Sequence, residues 1–203
     1  MFVLIHTMPL QYFAVYKPFA VLCQFSPVEK KATLKDFFPV PTDVYPVGRL
    51  DFDSEGLLLL SNDKSLNHRL LDPGFAHERE YWVQVEGDIS NDALSELSKG
   101  ITISVDGVTH KTKPAKAERF SSPPPVPDRN PPIRFRKHIP DTWIKLILKE
   151  GKNRQVRKMT AKVGYPTLRL IRTRIEKLSL DNMQPGDMIS LSRERTYELL
   201  FGK

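Results

Sequence analysis

The sequence has little of what several classes of protein require. Its single cysteine, Cys23, excludes a disulfide within the chain and suits a reducing compartment such as the cytoplasm. The five histidines are scattered and show no ligand spacing with cysteine or carboxylates, so we expect no metal site. No segment approaches the roughly 20 apolar residues of a membrane-spanning helix, and the short apolar N-terminus lacks the basic leader of a signal peptide. We therefore expect a cytoplasmic protein without membrane contact.

The positive charge of the chain is concentrated in one segment. The chain has 31 basic and 24 acidic residues, which gives a net charge of +7. Residues 149–177 alone contain ten basic residues and two acidic ones, so this segment accounts for +8 and the rest of the chain for −1. A local basic zone indicates a polyanionic partner, most often nucleic acid. A membrane surface, an acidic partner or a merely solvated face are the alternatives.

The order of predicted elements indicates an α+β fold with a mixed or antiparallel sheet, because strands outnumber helices. Residues 121–132 include six prolines and predict an extended connection between portions of about 1–120 and 133–203. From apolar periodicity and turn residues, strands are predicted at 12–16, 80–86, 101–105, 143–149 and 167–175, and helices at 64–71 and 91–99.

A polar loop at residues 48–56 runs directly into four consecutive leucines at 57–60. A buried apolar strand is a rigid platform, and it can hold a charged loop at its mouth. The loop carries one arginine and three carboxylates, which are Arg49, Asp51, Asp53 and Glu55. These acids are the first candidates for chemistry, and the alternative is a solvated turn in which aspartate and glycine serve the backbone.

The basic segment predicts a helix followed by a cationic strand. Asn153 is a suitable N-cap and Gly164 a suitable residue just beyond the C-terminus of the helix. The free N–H groups at such a helix start can bind an anion, which favours phosphate contacts over an ordinary basic helix. Basic residues are expected outward on the helix (Arg154, Lys158 and Lys162) and on one face of the strand (Arg169, Arg172 and Arg174).

The surroundings of one arginine and of two adjacent aromatic residues can also be predicted. Arg157 lies beside the inward-facing Val156, and an unpaired buried cation is costly, so we expect a carboxylate partner, Asp51 above all. The alternative is an arginine that extends its head into water. Tyr81 and Trp82 occupy successive strand positions and face opposite ways, so one can line a cleft while the other packs in the core, unless both belong to the core.

Several motifs, in order, resemble those of the pseudouridine synthases that modify ribosomal RNA. The similar segments are 16–18 (Tyr-Lys-Pro), 48–51 (Gly-Arg-Leu-Asp), 54–63, 79–83, 150–159 and 163–172, which together extend from about residue 12 to about residue 190. Segments 130–134 and 153–157 resemble the E type, which modifies large-subunit RNA. The same group also contains the A type, which modifies small-subunit RNA, and the B and F types, which modify large-subunit RNA. Two departures are Arg79, where lysine is common, and Asp53-Ser54-Glu55, where Asp-Thr-Ser is common, which leaves a role for Glu55 open.

The resemblance implies the pseudouridine synthase fold, with a mixed, mainly antiparallel sheet, flanking helices and a central RNA-binding cleft. It implies a single catalytic domain over 1–203, made of the two portions described above, with no separate N-terminal RNA-binding domain. The implied activity is site-specific isomerisation of uridine to pseudouridine in large-subunit (23S) ribosomal RNA or its assembly intermediate. The implied enzyme is a monomer without cofactor, metal or obligate protein partner.

The resemblance also implies roles for individual residues. Asp51 is the implied catalytic aspartate, acting as a nucleophile at the sugar or as a base at C2′, and Arg157 forms an ion pair with it. Tyr81 stacks on the target base, and Leu168 lines the uridine pocket. The remaining implied substrate contacts are Arg49, Lys17, Lys152, Asn153, Arg154, Lys158 and Arg172.

The basic segment by itself also fits other functions. An RNA-binding assembly factor without catalysis is one alternative, and a synthase for small-subunit ribosomal RNA or transfer RNA is another. Only the loop that carries Asp51 favours catalysis, because a protein that merely binds RNA has no need of a carboxylate facing phosphates.

Overall fold

The structure is a computed structural model that describes residues 9–133 and 139–202, and His6, His138 and the motif residue Arg134 lie outside these ranges. The strands in chain order are β1 (Tyr12–Lys17), β2 (Val21–Leu22), β3 (Ala32–Thr33), β4 (Tyr45–Val47), β5 (Glu55–Ser61), β6 (Arg79–Glu86), β7 (Thr102–Val105), β8 (Val108–Lys111), β9 (Lys116–Arg119), β10 (Asp141–Leu148), β11 (Thr167–Ile175), β12 (Leu178–Ser179) and β13 (Met188–Leu191). The α-helices are α1 (Lys64–Leu71), α2 (Asn91–Lys99), α3 (Gln155–Lys162) and α4 (Arg193–Phe201), with 3₁₀ turns at Leu34–Asp36 and Pro73–Phe75.

Across the described ranges, nine strands form one sheet in the order β13-β1-β5-β11-β6-β10-β9, with β4 paired to β5 and β12 to β11. The pairing of β5 with β11 is parallel, and the other neighbours are antiparallel. This arrangement confirms the predicted α+β fold with a mixed, mainly antiparallel sheet. The sheet is continuous across the proline-rich segment, because β10 and β11 pair with strands that precede it. The division into two subdomains stays a prediction.

The four leucines of β5 are buried on both faces of the sheet. Leu57 and Leu59 pack in a cluster with residues of α1 and α4. Leu58 and Leu60 point the other way and pack in a second cluster that includes Leu50 from the polar loop. A strand between two apolar layers needs this continuous run rather than an alternating pattern. Because Leu50 is fixed in the second cluster, the neighbouring Asp51 is held by the core.

Gly56 allows β5 and β11 to approach closely at the base of the polar loop. Its φ is +112°, and a Cβ added there would lie 2.3 Å from the backbone carbonyl oxygen of Arg172. Gly56 also pairs directly with Arg172 in the parallel register. A side chain at this position would therefore push the loop-bearing strand away from β11.

We expect Gly56→Ala to destabilise the fold by about 3 kcal/mol, because the added methyl group overpacks a backbone contact at an unfavourable φ. The measurement is the free energy of unfolding in urea. Gly107→Ala is the matched control, since Gly107 also has a positive φ (+82°) but has no atom within 4 Å of an added Cβ. The control should lose only about 1 kcal/mol, and equal losses in both variants would contradict the close-approach argument.

Helix α3 begins later than predicted. Asn153 was expected to cap it, but the N-cap is Arg154, in a left-handed conformation (φ +53°) and without a side-chain cap hydrogen bond. The reason is that the Asn153 amide donates to Asp106 Oδ1 at 2.8 Å, in the turn between β7 and β8. The end of the helix is as predicted, because Gly164 (φ +93°) follows the C-cap residue.

Candidate active site

A cavity of about 570 Å³ is lined by the polar loop, by β6 and β11, and by residues 148–156. Asp51 and Tyr81 both line it, and they come from the loop and from β6 respectively. Its wall contains six lysine or arginine side chains and three carboxylates. An excess of positive charge around a carboxylate suits an anionic substrate with an acid at the reacting centre.

Asp51 keeps its carboxylate free for a substrate. Its side chain is 24 % exposed, and Arg154 Nη1 lies 3.6 Å from Oδ2. The backbone carbonyl of Asp51 accepts a hydrogen bond from the N–H of Ser54 at 3.1 Å, which closes the turn. Within the described chain, no hydrogen bond reaches the carboxylate itself. The nearby guanidinium stabilises the negative charge without occupying the oxygens by close contact.

Asp53, rather than Asp51, anchors the arginines of the basic segment. Arg154 donates to both carboxylate oxygens of Asp53, at 2.8 and 2.9 Å. Arg157 Nε lies 3.4 Å from Asp53 Oδ2, and its Nη2 donates to the Asp53 carbonyl. The predicted ion pair of Arg157 with Asp51 is therefore replaced by one with Asp53, because both acceptors of Asp53 face α3.

The electrostatics of this group follow from its geometry. Hydrogen bonds from Arg154 hold the pKa of Asp53 below its ordinary value, against the opposing effect of burial. Burial lowers the pKa of the Arg157 guanidinium, and the negative charge of Asp53 opposes that shift. The ionised carboxylate of Asp53 therefore links the polar loop to the start of α3. Asp51 takes no part in these hydrogen bonds and lies beside the cavity.

Tyr81 lines the cavity, whereas Trp82 packs on the opposite face of the sheet. The Trp82 ring packs edge to face against Phe120, with the two ring centroids 5.4 Å apart. Its indole N–H donates a hydrogen bond to the Glu80 carboxylate. Strand alternation predicted this separation of the two aromatic side chains. Among the residues that the structure describes, the Tyr81 hydroxyl has no hydrogen-bond partner. The residue is 9 % exposed and belongs to a core cluster, so the core fixes the ring at the cavity wall.

Lys17 and Leu168 were predicted to contact the substrate, but neither residue lines the cavity. Lys17 is fully buried, and its ammonium donates to the carbonyls of Pro18 (2.9 Å) and Val21 (2.8 Å). Burial lowers its pKa to about 8. Its ammonium therefore holds the backbone after β1, and Lys17 does not line the cavity. Leu168 lies at a register shift of β11, and the lining residue is instead Leu170.

Arg169 and Arg172 of β11 are buried and Arg174 is half-buried, which corrects the predicted cationic face. Arg172 lines the cavity but is buried, and its Nε donates to the Leu57 carbonyl at 2.8 Å. Arg174 Nε lies 3.1 Å from Glu80 Oε2. Arg169 and Glu55 form a fully buried, two-point ion pair, with distances of 2.9 and 2.8 Å. Glu55 therefore has a structural role in this fold.

The predicted substrate contacts that remain at the surface surround the cavity. Arg49 and Lys152 are exposed and line it, and neither makes an ion pair or hydrogen bond through its side chain with a described residue. Asn153 and Arg154 line it as well. Lys158 is half-buried on α3 and does not line the cavity, although it follows Arg154 on the same face of the helix.

Glu150 is a buried anchor that sequence reasoning did not identify. Its carboxylate accepts hydrogen bonds from the Lys113 N–H (2.8 Å) and the Gln155 amide (2.7 Å), and it lies 3.1 Å from His110 Nε2. These contacts fix the segment with Lys152 to the hairpin of β7 and β8. Gln155 is only five positions away, but Lys113 and His110 are 37 and 40 positions away in the chain. No local sequence pattern indicates these two distant contacts.

Comparison with known proteins identifies the family of this chain. The chain belongs to the RNA pseudouridylate synthase family, whose sequence model matches residues 11–162. It is 49 % identical over 172 residues to the ribosomal large subunit pseudouridine synthase E of Xanthomonas campestris pv. campestris, covering 84 % of this chain and 89 % of that protein. It is 46 % identical over 170 residues to the protein of the same name from Vibrio parahaemolyticus, covering 84 % and 69 %.

The fold comparison leads to the same class. A crystal structure of a pseudouridylate synthase superimposes with a TM-score of 0.77 at 25 % identity, covering 96 % of this chain and 76 % of that one. These findings confirm the predicted family, fold and enzyme class. In the parts of the chain that the structure describes, no helix is long and apolar enough to cross a membrane.

Proposed function

We propose that this enzyme isomerises one uridine of large-subunit ribosomal RNA to pseudouridine, with Asp51 as the catalytic carboxylate. The observation that carries the proposal is the Asp51 carboxylate, which lines the same cavity as Tyr81 within a cationic wall and accepts no hydrogen bond from a described residue. The names of the relatives support the large-subunit substrate. The reaction breaks the C1′–N1 bond and forms a C1′–C5 bond, while a proton leaves C5 and N1 gains one.

Asp51 must be ionised for either route of the reaction. As a nucleophile it attacks C1′ of the sugar, and as a base it removes the proton from C2′. The guanidinium of Arg154 lies 3.6 Å from the Asp51 carboxylate. Tyr81 stacks on the uracil once the nucleotide is flipped from its helix, and this contact offsets part of the lost base stacking. Arg157 acts through Asp53 as a positioning residue that holds the loop against α3.

The RNA backbone is bound by the cationic side chains around the cavity. Arg49, Lys152, Arg154 and Lys158 contact phosphates, and Asn153 supplies an uncharged polar contact. The proposal includes a monomer that acts in the cytoplasm on ribosomal RNA or on an assembly intermediate, without an obligate protein partner. Light scattering of the purified protein with and without RNA tests the monomer, and a stable dimer would contradict it.

The activity is tested with purified protein and three RNAs, which are large-subunit ribosomal RNA, small-subunit ribosomal RNA and transfer RNA. Pseudouridine is located by carbodiimide labelling and primer extension. We expect one modified site, in the large-subunit RNA, and loss of that same site from cells without the protein. Modification of another RNA would overturn the proposed substrate. Tight RNA binding without pseudouridine in any of the three would favour an assembly factor.

Substitution of Lys152 or Lys158 by alanine should weaken RNA binding a few-fold and reduce its salt dependence. Each lost phosphate contact should lower the slope of log affinity against log salt concentration by about 0.7–0.9. Fluorescence anisotropy titrations at several salt concentrations measure the slope. Lys99→Ala is the control, because Lys99 is exposed at the end of α2, and α2 contributes no residue to the cavity wall, whereas α3 contributes Gln155 and Val156. Unchanged slopes in both variants would remove these lysines from the RNA interface.

A further inference from the structure

A second cavity, of about 640 Å³, adjoins the first and shares Arg49, Asp51 and Arg154 with it. It is lined on its own side by Phe52, Asn67 and Cys23, among others. The two cavities therefore lie on either side of the loop that carries the candidate catalytic aspartate. Resting on the proposed function, we infer that the second cavity binds the base of a nucleotide next to the target uridine in the same RNA.

Phe52 supplies the surface on which such a base can stack. It directly follows Asp51 and is 38 % exposed, although its neighbours Leu50 and Ser54 are buried. The ammonium of Lys31 lies 5.5 Å from the ring centroid, over one face. Bases stack on exposed aromatic rings in single-stranded RNA complexes, and stacking tolerates any base. Because Phe52 also lines the second cavity, the exposed part of its ring is placed where a base that enters the cavity can contact it.

The polar groups of this cavity suit a nucleotide rather than an apolar ligand. The guanidinium of Arg49 and the amide of Asn67 are both exposed, and neither side chain pairs with any residue in the described parts of the chain. A free guanidinium can contact the phosphate between the two nucleotides. A free amide can hydrogen-bond to the edge of a base. Asn67 would therefore discriminate between bases, whereas Phe52 would bind any of them.

The continuity of the cavities decides which nucleotide is bound. Arg49 and Arg154 belong to both walls, so one guanidinium can contact the phosphate that joins the target to its neighbour. The cationic rim is complementary to an RNA backbone that passes from one cavity to the other. Splaying of the neighbouring base would also relieve stacking on the target, which helps the target to flip.

The test is a binding cycle with RNA fragments that contain the modified uridine. The nucleotides on either side of the target are replaced, one at a time, by abasic nucleotides. Wild-type protein should lose affinity roughly 5- to 150-fold at one adjacent position. Phe52→Leu should lose a similar factor with intact RNA, and it should show no further loss with the abasic RNA at that position. Phe37→Leu is the matched control, since Phe37 is 40 % exposed and lines neither cavity.

Two other outcomes separate the possible failures. If Phe52→Leu retains the full abasic penalty at every position, the subsite is overturned while pseudouridine formation by the wild-type enzyme still stands. If the wild-type enzyme forms no pseudouridine in the RNAs tested above, the subsite falls together with the proposed function. Asn67→Ala adds an independent measurement, since it should reduce the preference among bases at the same position while keeping the part of the abasic penalty that comes from stacking on Phe52.

Discussion

Replacement of Asp51 by asparagine should reduce pseudouridine formation by at least about 10⁴-fold, as expected when a group that contacts the reacting atoms is lost. The carboxamide has nearly the same shape, but it can neither attack C1′ nor accept a proton from C2′ at a useful rate. RNA affinity should stay within a few-fold, because Asp51 makes no hydrogen bond that orders the loop through its carboxylate. Single-turnover assays and anisotropy titrations measure the two quantities separately.

Asp53→Asn is the matched control for this experiment. It removes one carboxylate from the same loop, and it weakens the two hydrogen bonds from Arg154. Because Asp53 acts through the arginines, this variant should lose some rate and some stability but still form pseudouridine. If Asp51→Asn retained activity and Asp53→Asn did not, the catalytic carboxylate would be that of Asp53 and not that of Asp51.

The features that sequence reasoning predicted are those encoded by neighbouring residues. Strand alternation separated Tyr81 from Trp82, and the leucine run after the polar loop predicted a buried strand. Gly164 predicted the end of α3. In each case the physical cause lies within a few positions of the residue itself, so the pattern contains the information.

The features that sequence reasoning missed depend on partners far away in the chain. Arg157 and its two candidate partners, Asp51 and Asp53, are separated by about one hundred residues, and only the orientation of the turn selects Asp53. The basic segment was predicted to lie at the surface because its positive charges were summed without considering the acidic partners that some of them contact. Arg169 and Arg172 are buried by contacts with β5, which no local pattern reveals. The concentration of positive charge therefore correctly indicated the class of the partner, a nucleic acid. Only some of the basic residues in this segment, however, are exposed enough to bind RNA.

The buried ion pair of Glu55 and Arg169 supports the second large prediction. The two side chains are 2 % and 5 % exposed, and the pair joins the first residue of β5 to β11. Glu55→Met should destabilise the fold by about 3–5 kcal/mol, because it leaves the Arg169 charge buried without a compensating carboxylate. Arg169→Met should cost a similar amount for the converse reason. Urea unfolding at constant salt measures both free energies.

The double variant distinguishes a lost attraction from an uncompensated charge. Glu55→Met combined with Arg169→Met replaces both charges by apolar groups, and such replacements are often neutral or stabilising. We expect the double variant to recover most of the stability that either single variant loses. Arg195→Met is the exposed control, since its pair with Glu198 lies at the surface and should contribute no more than about 1 kcal/mol. A loss in the double variant equal to that in either single variant would instead show that attraction within the pair, and not the avoidance of a lone buried charge, holds β5 against β11. Additive losses would show that the two side chains do not interact at all.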